Sequence, residues 1–227
     1  MAPRLVFTMA ANRGWKLECL DAKSAFLQGD TLQCLVYIKP PSEYKPKGKG
    51  LVYWRLKKGL YGLGDAPRGW YLRVDQELTK LQCYRVELDP ALYAYWIDGV
   101  LSGLLGVHVD DFIYCGSRQF FTTLVRKLIE VFIVGEPETL KFSYVGWQIE
   151  QQDSGEIKVS QELFVKELEE LDKTGMKGMN KTDRLSPENQ QKFRSVVDQP
   201  LLILNFRINH PPPPFFFNAP LPYRLYK

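Results

Sequence analysis

The stretch Gly106-Val107-His108-Val109-Asp110-Asp111-Phe112-Ile113-Tyr114 sets two adjacent carboxylates between two apolar runs. Along a regular strand, neighbouring side chains point to opposite faces. Two consecutive aspartates therefore serve one site only if the chain bends there. Leu101 to Val109 reads as a buried strand and Phe112 to Cys115 as a second, with the Asp pair at the tip of a hairpin between them. Carboxylates held together repel, which keeps one protonated unless a cation neutralises them. The natural cation is a hard divalent ion with oxygen ligands, usually Mg²⁺. Aspartate is also a common turn former, so the pair alone fits a plain loop as well.

A third acid lies far upstream, in Cys19-Leu20-Asp21-Ala22-Lys23-Ser24-Ala25-Phe26-Leu27. A short helix is expected from Pro3 to near Gly14, then a strand over Trp15 to Leu20. Asp21 thus falls at a strand end, where a carboxylate can meet a ligand. Read locally, it also suits the N-cap of a helical turn over Ser24 to Leu27.

The order of these motifs carries a resemblance. Leu20-Asp21-Ala22-Lys23-Ser24-Ala25-Phe26-Leu27-Gln28-Gly29-Asp30 is followed by Val36-Tyr37-Ile38-Lys39-Pro40-Pro41 and by Arg55-Leu56-Lys57-Lys58-Gly59-Leu60-Tyr61-Gly62-Leu63. Then come Ala66-Pro67-Arg68-Gly69-Trp70-Tyr71, His108-Val109-Asp110-Asp111, Phe142-Ser143-Tyr144-Val145-Gly146 and Phe193-Arg194-Ser195-Val196-Val197. In this order the chain resembles the reverse transcriptase domain of copia-type LTR retrotransposons, from about Pro3 to Gln199.

The resemblance implies RNA-directed DNA polymerisation, with two Mg²⁺ ions, Mn²⁺ being an acceptable substitute. Asp21 and Asp110 would hold the metals, Asp111 would support them, and the carbonyl of Ala22 would add a ligand. Backbone amides of Lys23, Ser24, Ala25 and Phe26 would face the triphosphate of a dNTP, with Phe26 as a bulky gate against a ribose 2′-hydroxyl. Gly62 would let the backbone pass close to template and nucleotide. Arg55, Lys57, Lys58 and Arg68 would contact an RNA or DNA template with its primer. Tyr144 and Gly146 belong to the segment that would grip the primer end. Gly64-Asp65 departs from the Lys-Gln common in the family, which removes one basic group near the template. Upstream finger strands, thumb and RNase H have no recognisable counterpart, so a truncated piece of a polyprotein is expected. The competing reading is a non-catalytic nucleic-acid-binding remnant of a decayed or host-retained element.

Charge supports a polyanionic partner. From Lys45 to Arg73 there are eight basic residues against one acid, a net of +7, while the whole chain carries +4. Tyr53, Trp54, Tyr61, Trp70 and Tyr71 are interleaved, and basic groups with aromatics suit a phosphate backbone with stacked bases. The lysines from Lys45 to Lys49 read instead as a solvated loop, and the contact reading is kept for Arg55 to Arg73. Two histidines exclude a His-rich metal site. Cys19, Cys34, Cys83 and Cys115 show no C-x-x-C pairing, so buried free thiols in a reducing compartment are expected. No apolar run reaches membrane-spanning length and no signal peptide is legible, so an intracellular, cytoplasmic location is expected.

Periodicity orders the rest. Asp65 is placed to cap a helix from Ala66 to about Leu81, with Trp70, Tyr71, Val74, Leu78 and Leu81 on one face. Leu92 to Ile97 reads as a strand, turning at Asp98-Gly99 into the next. Ser117 is expected to cap a helix through Phe132, with Phe121, Leu124, Leu128 and Phe132 inward. Leu140 to Glu150 and Glu156 to Val159 read as a hairpin around Asp153-Ser154-Gly155, followed by an acidic helix from Ser160 to about Leu171. The expected class is α+β with a central antiparallel sheet, a polymerase palm with partial fingers over 1–172 and the start of a connection over 173–199. Pro200 to Lys227 holds seven prolines and loses the family pattern; it reads as an aberrant, disordered tail outside the core.

Overall fold

The computed structural model of the protein describes residues 2–44, 50–167, 186–187 and 206–208. Helix α1 (Ala2–Arg13) buries Val6, Phe7, Ala10 and Ala11 on one stripe. It stops at Gly14, whose φ of 60° lets the Gly14 and Trp15 amides turn back onto the carbonyls of Ala11 and Ala10. Strand β1 (Lys16–Asp21) follows, then a single helical turn α2 (Ala25–Gln28). Strands β2 (Thr31–Ile38) and β3 (Trp54–Lys58) pair with each other as a two-stranded ribbon and, among the described residues, with no other strand. Helix α3 (Ala66–Lys80) leads into β4 (Cys83–Val86), β5 (Asp89–Ile97), β6 (Val100–His108) and β7 (Asp111–Gly116).

A helical run follows: α4 (Arg118–Phe120), a π-helical turn (Phe121–Val125) and α5 (Arg126–Val131). The chain then forms β8 (Glu138–Thr139), β9 (Lys141–Tyr144), β10 (Trp147–Gln151), β11 (Ile157–Ser160), α6 (Glu162–Glu167) and β12 (Phe206–Ile208). The central sheet has six strands in the order β4-β5-β6-β7-β1-β8, and a second sheet runs β12-β11-β10-β9. All the strand pairings described are antiparallel, so the class is α+β around an antiparallel sheet, as expected.

Alternation along the central strands divides the core into two. Leu17 and Cys19 on β1 and Ile113 and Cys115 on β7 face α1 and the second sheet, where Phe142, Tyr144 and Ile149 close over them. Leu20, Phe112 and Tyr114 point the other way, into Trp70, Val74 and Leu78 of α3 and Phe120, Leu124 and Leu128 of the helical run. Phe120 sits directly on the sheet at Gly103 and Gly116. A Cβ on either glycine would overlap its ring, so both positions need a bare backbone.

Several details differ from the sequence reading. Leu140 to Glu150 is not one strand arm but a hairpin of its own, β9 and β10, turning at Val145 (φ 48°) and Gly146 (φ 76°). Ser160 closes β11 instead of opening a helix, and α6 starts at Glu162. The π turn rotates the helical run, so Phe120 is fully buried while Phe121 is half-buried. Asp65 stands at the N-cap of α3 without a side-chain capping bond, whereas Ser117 accepts from the Phe120 amide as expected. Cys19, Cys83 and Cys115 are buried free thiols, and Cys34 is exposed. Phe206–Ile208 add a strand to β11, although the composition of the tail predicts a segment outside the fold. The lysine loop, the end of the acidic helix, most of 173–199 and the rest of the tail lie outside the described residues.

Candidate active site

Three chain positions deliver one carboxylate each. Asp21 ends β1 and Asp111 begins β7, and the two are direct cross-strand partners. Both share the strand face of Cys19 and Ile113, so their side chains start out on the same side of the sheet. Asp110 would point the opposite way in a straight strand. The chain avoids this by turning over Val109 and Asp110, with Val109 at φ 53°. A β-branched residue in the left-handed region is strained, and neighbouring bonds hold it there. The Trp70 indole Nε1–H donates to the Val109 carbonyl at 2.5 Å, and the Ala22 amide donates to the Asp110 carbonyl at 2.7 Å. Carboxylate oxygens of Asp21, Asp110 and Asp111 then lie within 4.8 Å of one another.

The loop behind Asp21 is tied down as firmly. The Gly135 amide donates to the Asp21 carbonyl at 2.8 Å, and the Lys23 amide donates to the Ile133 carbonyl at 3.0 Å. Gln28 clamps the same junction: its Nε2 donates to the carbonyls of Lys23 and Ile133, and its Oε1 accepts from the Ile133 amide. Asp21 does not cap α2; Ser24, itself at φ 53°, occupies that position.

The electrostatics are those of concentrated negative charge. Partial burial, then Asp110 and then Asp21 raise the pKa of Asp111, while His108 works in the opposite direction. Burial pushes the Cys19 thiol up to about 12, with the charges of Asp111 and Glu138 adding to it. The Tyr61 hydroxyl donates to Asp110 Oδ2 at 3.2 Å, and its pKa is raised by desolvation and by the Asp110 and Asp21 charges. Among the described residues no ion pair engages any of the three aspartates. Clustered, half-exposed oxygens without a cationic partner fit a hard divalent ion.

A family model described as reverse transcriptase (RNA-dependent DNA polymerase) matches residues 2–184. The chain belongs to the reverse transcriptase family. Its relatives are of the copia type. The retrovirus-related Pol polyprotein from transposon TNT 1-94 of Nicotiana tabacum is 32% identical over 51% of this chain. Those from transposons RE1 and RE2 of Arabidopsis thaliana are 29% and 30% identical, each over 73% of it. The chain spans only 9% to 11% of the length of these relatives.

Within this reverse transcriptase chain the remaining candidate residues are placed as follows. Ala22 is buried beside Asp21, and Phe26 packs its ring 4.4 Å from that of Tyr61. Gly62 lies in the exposed loop before α3 at φ 94°, a backbone state that favours glycine. Arg55 and Lys57 are exposed on β3, and Arg68 is exposed at the start of α3. Three further candidates have partners or surroundings of their own. The Lys23 amide is taken by Ile133 and does not face outward. The Lys58 ammonium donates to the Gly29 carbonyl, tying β3 to α2. Tyr144 is only 1% exposed, in the core cluster with Cys19, while Gly146 at the adjacent turn is exposed. The sequence marks Tyr61 and Gln28 only as members of motifs. Their partners here are far along the chain and leave no local signal. No described helix is long and apolar enough to cross a membrane.

Proposed function

We propose that the chain is the polymerase palm, with part of the fingers, of a copia-type reverse transcriptase. It would transfer a nucleotide from a dNTP to a primer 3′-hydroxyl on an RNA or DNA template. The observation that carries this is the convergence of Asp21, Asp110 and Asp111 on one side of the β1–β7 pair, in a member of the reverse transcriptase family. The three carboxylates, with the Ala22 carbonyl, would hold two Mg²⁺ ions, or Mn²⁺ in their place. Such ions, when bound, activate the attacking hydroxyl and neutralise charge on the leaving pyrophosphate.

The protein's own part is position and electrostatics. The Trp70 and Ala22 bonds fix the hairpin tip, so Asp110 needs no reorganisation to bind. The Gln28 clamp fixes the loop after Asp21, which would leave the amides of Ser24, Ala25 and Phe26 for the triphosphate. Phe26 would close the sugar side of the nucleotide against a 2′-hydroxyl. Gly62 and Gly146 would give template and primer backbones close approach. Arg55, Lys57 and Arg68 would neutralise template phosphates.

The test is primer extension on an RNA template, with Mg²⁺, by the chain and by its Asp110→Asn variant. Expected is metal-dependent extension by the parent, reduced at least ~100-fold in the variant, with primer–template affinity unchanged. Extension that survives Asp110→Asn would overturn the assignment. Template binding without extension by the parent would favour a non-catalytic nucleic-acid-binding role.

A further inference from the structure

Tyr61 is an exposed tyrosine, 56% accessible, yet both ends of its side chain are engaged. Its ring lies 4.4 Å from the Phe26 ring at an interplanar angle of 50°, and its hydroxyl donates to Asp110 Oδ2. A surface tyrosine with no core to fill is otherwise free to choose rotamers. Here one end is fixed by a carboxylate of the candidate metal site and the other lies against the residue read as the sugar gate. Through Tyr61, Phe26 is also placed beside the carboxylates, although it comes from a different element than Asp110.

The Phe26 side of this pair is braced from behind. A Cβ on Gly59 would come within 3.2 Å of the Phe26 carbonyl and 3.0 Å of the Ala66 Cβ, so β3 and α3 already press on α2. The Lys58 ammonium on the Gly29 carbonyl pulls in the same direction. Phe26 itself is buried, in the cluster that holds Trp70 and Phe112, and the exposed Tyr61 lies against its ring.

We propose that Tyr61 is a specificity-determining residue for the choice of 2′-deoxy over ribonucleoside triphosphates, acting as a brace that holds the Phe26 ring in its gating position. This rests on the polymerase reading above and on Phe26 as its gate. The ring of Tyr61, packed against that of Phe26, carries the effect, and the bond from its hydroxyl to Asp110 is a further tether on which the brace does not depend. An aromatic pair contributes enough beyond its buried area to change discrimination roughly 2- to 12-fold.

The test is the ratio of dissociation constants for Mg·dGTP and Mg·GTP, measured on the full chain bound to a dideoxy-terminated primer–template with a cytosine as the next template base. Tyr61→Ala should lower the deoxy preference about 3- to 10-fold, and Tyr61→Phe should keep it within about 2-fold of the parent. Phe26→Val should lower it at least as far as Tyr61→Ala. The double variant should equal Phe26→Val alone, because a brace has no effect once the gate it supports is gone. Tyr61 is at the surface, so its variants should fold, and an unchanged thermal midpoint checks this. If Phe26→Val abolishes the preference and Tyr61→Ala leaves it intact, the brace is wrong and the gate stands. If Tyr61→Phe falls as far as Tyr61→Ala, or Tyr61→Ala acts additively with Phe26→Val, Tyr61 acts by another route and the proposal is overturned. If the parent has no deoxy preference, or binds neither nucleotide, the polymerase reading fails and takes the proposal with it.

Discussion

Asp110 and Asp111 show what an adjacent pair can do and what it needs. Their convergence depends on one left-handed residue, Val109, and on two bonds that hold the turn. The bend is legible in the sequence, because alternation forbids a shared site without it. Which residues hold the bend is not, because Trp70 lies 39 positions from Val109 and reads locally as a helix-face core residue. Tyr144 escapes a sequence reading for a related reason: a tyrosine next to a turn reads as exposed, and only the packing of the second sheet over β1 buries it.

Charge at Asp111 gives a prediction at this scale. Its folded pKa is raised above the usual 3.8. The folded state therefore binds a proton more tightly than the unfolded chain, and metal-free stability falls as pH rises from the ordinary carboxylate pKa through the raised value. In a chelator at neutral pH, Asp111→Asn should raise the thermal midpoint. The site is half-exposed, so screening limits the gain to about 0.5 kcal/mol, or roughly 1–2 °C. The gain should vanish below the ordinary carboxylate pKa, and saturating Mg²⁺ should reverse it. A variant that melts below the parent in chelator would contradict the like-charge account.

At the scale of elements, local chemistry decides what can be read. Asp98-Gly99 announces a tight turn, and both residues are left-handed as such a turn demands. Val145-Gly146 makes a comparable turn with a β-branched first residue, which gives no warning. Strands β4 and β8 are short and lack alternation. The π turn is hidden because one extra residue in a helix leaves the composition unchanged, and it moves the inward position to Phe120. That ring makes a sharp demand on the sheet. A Cβ at Gly116 would also approach the Ser102 carbonyl to 2.7 Å. Gly116→Ala should cost about 1–3 kcal/mol by overpacking, seen as a midpoint lower by roughly 2–12 °C. An unchanged melt would mean that α4 moves off the sheet more freely than its packing indicates.

For the whole molecule, the fold class and the antiparallel centre follow from the order of apolar runs and turns, and the family follows from the order of its motifs. The addition of β12 to the second sheet does not, since three residues in a proline-rich stretch carry no pairing signal. The molecule's charge is uneven: Arg55, Lys57 and Arg68 are exposed on the ribbon and the start of α3, while the three aspartates cluster at the end of the central sheet. Replacing Arg55, Lys57 and Arg68 together should weaken primer–template binding for all sequences alike. The slope of log K against log salt should become shallower by about one for each phosphate no longer neutralised. An unchanged slope would place the nucleic acid elsewhere.

The central claim is that Asp21, Asp110 and Asp111, brought together from β1 and the β6–β7 turn, form one divalent-cation site. A Mn²⁺ titration followed by the electron paramagnetic resonance signal of the free ion tests it most directly. The chain should take up Mn²⁺, Mg²⁺ should compete for it, and Asp21→Asn, Asp110→Asn and Asp111→Asn should each weaken uptake by about 10-fold or more while the fold persists. Uptake that none of the three substitutions changes, or no uptake by the parent chain at millimolar metal, would contradict the account.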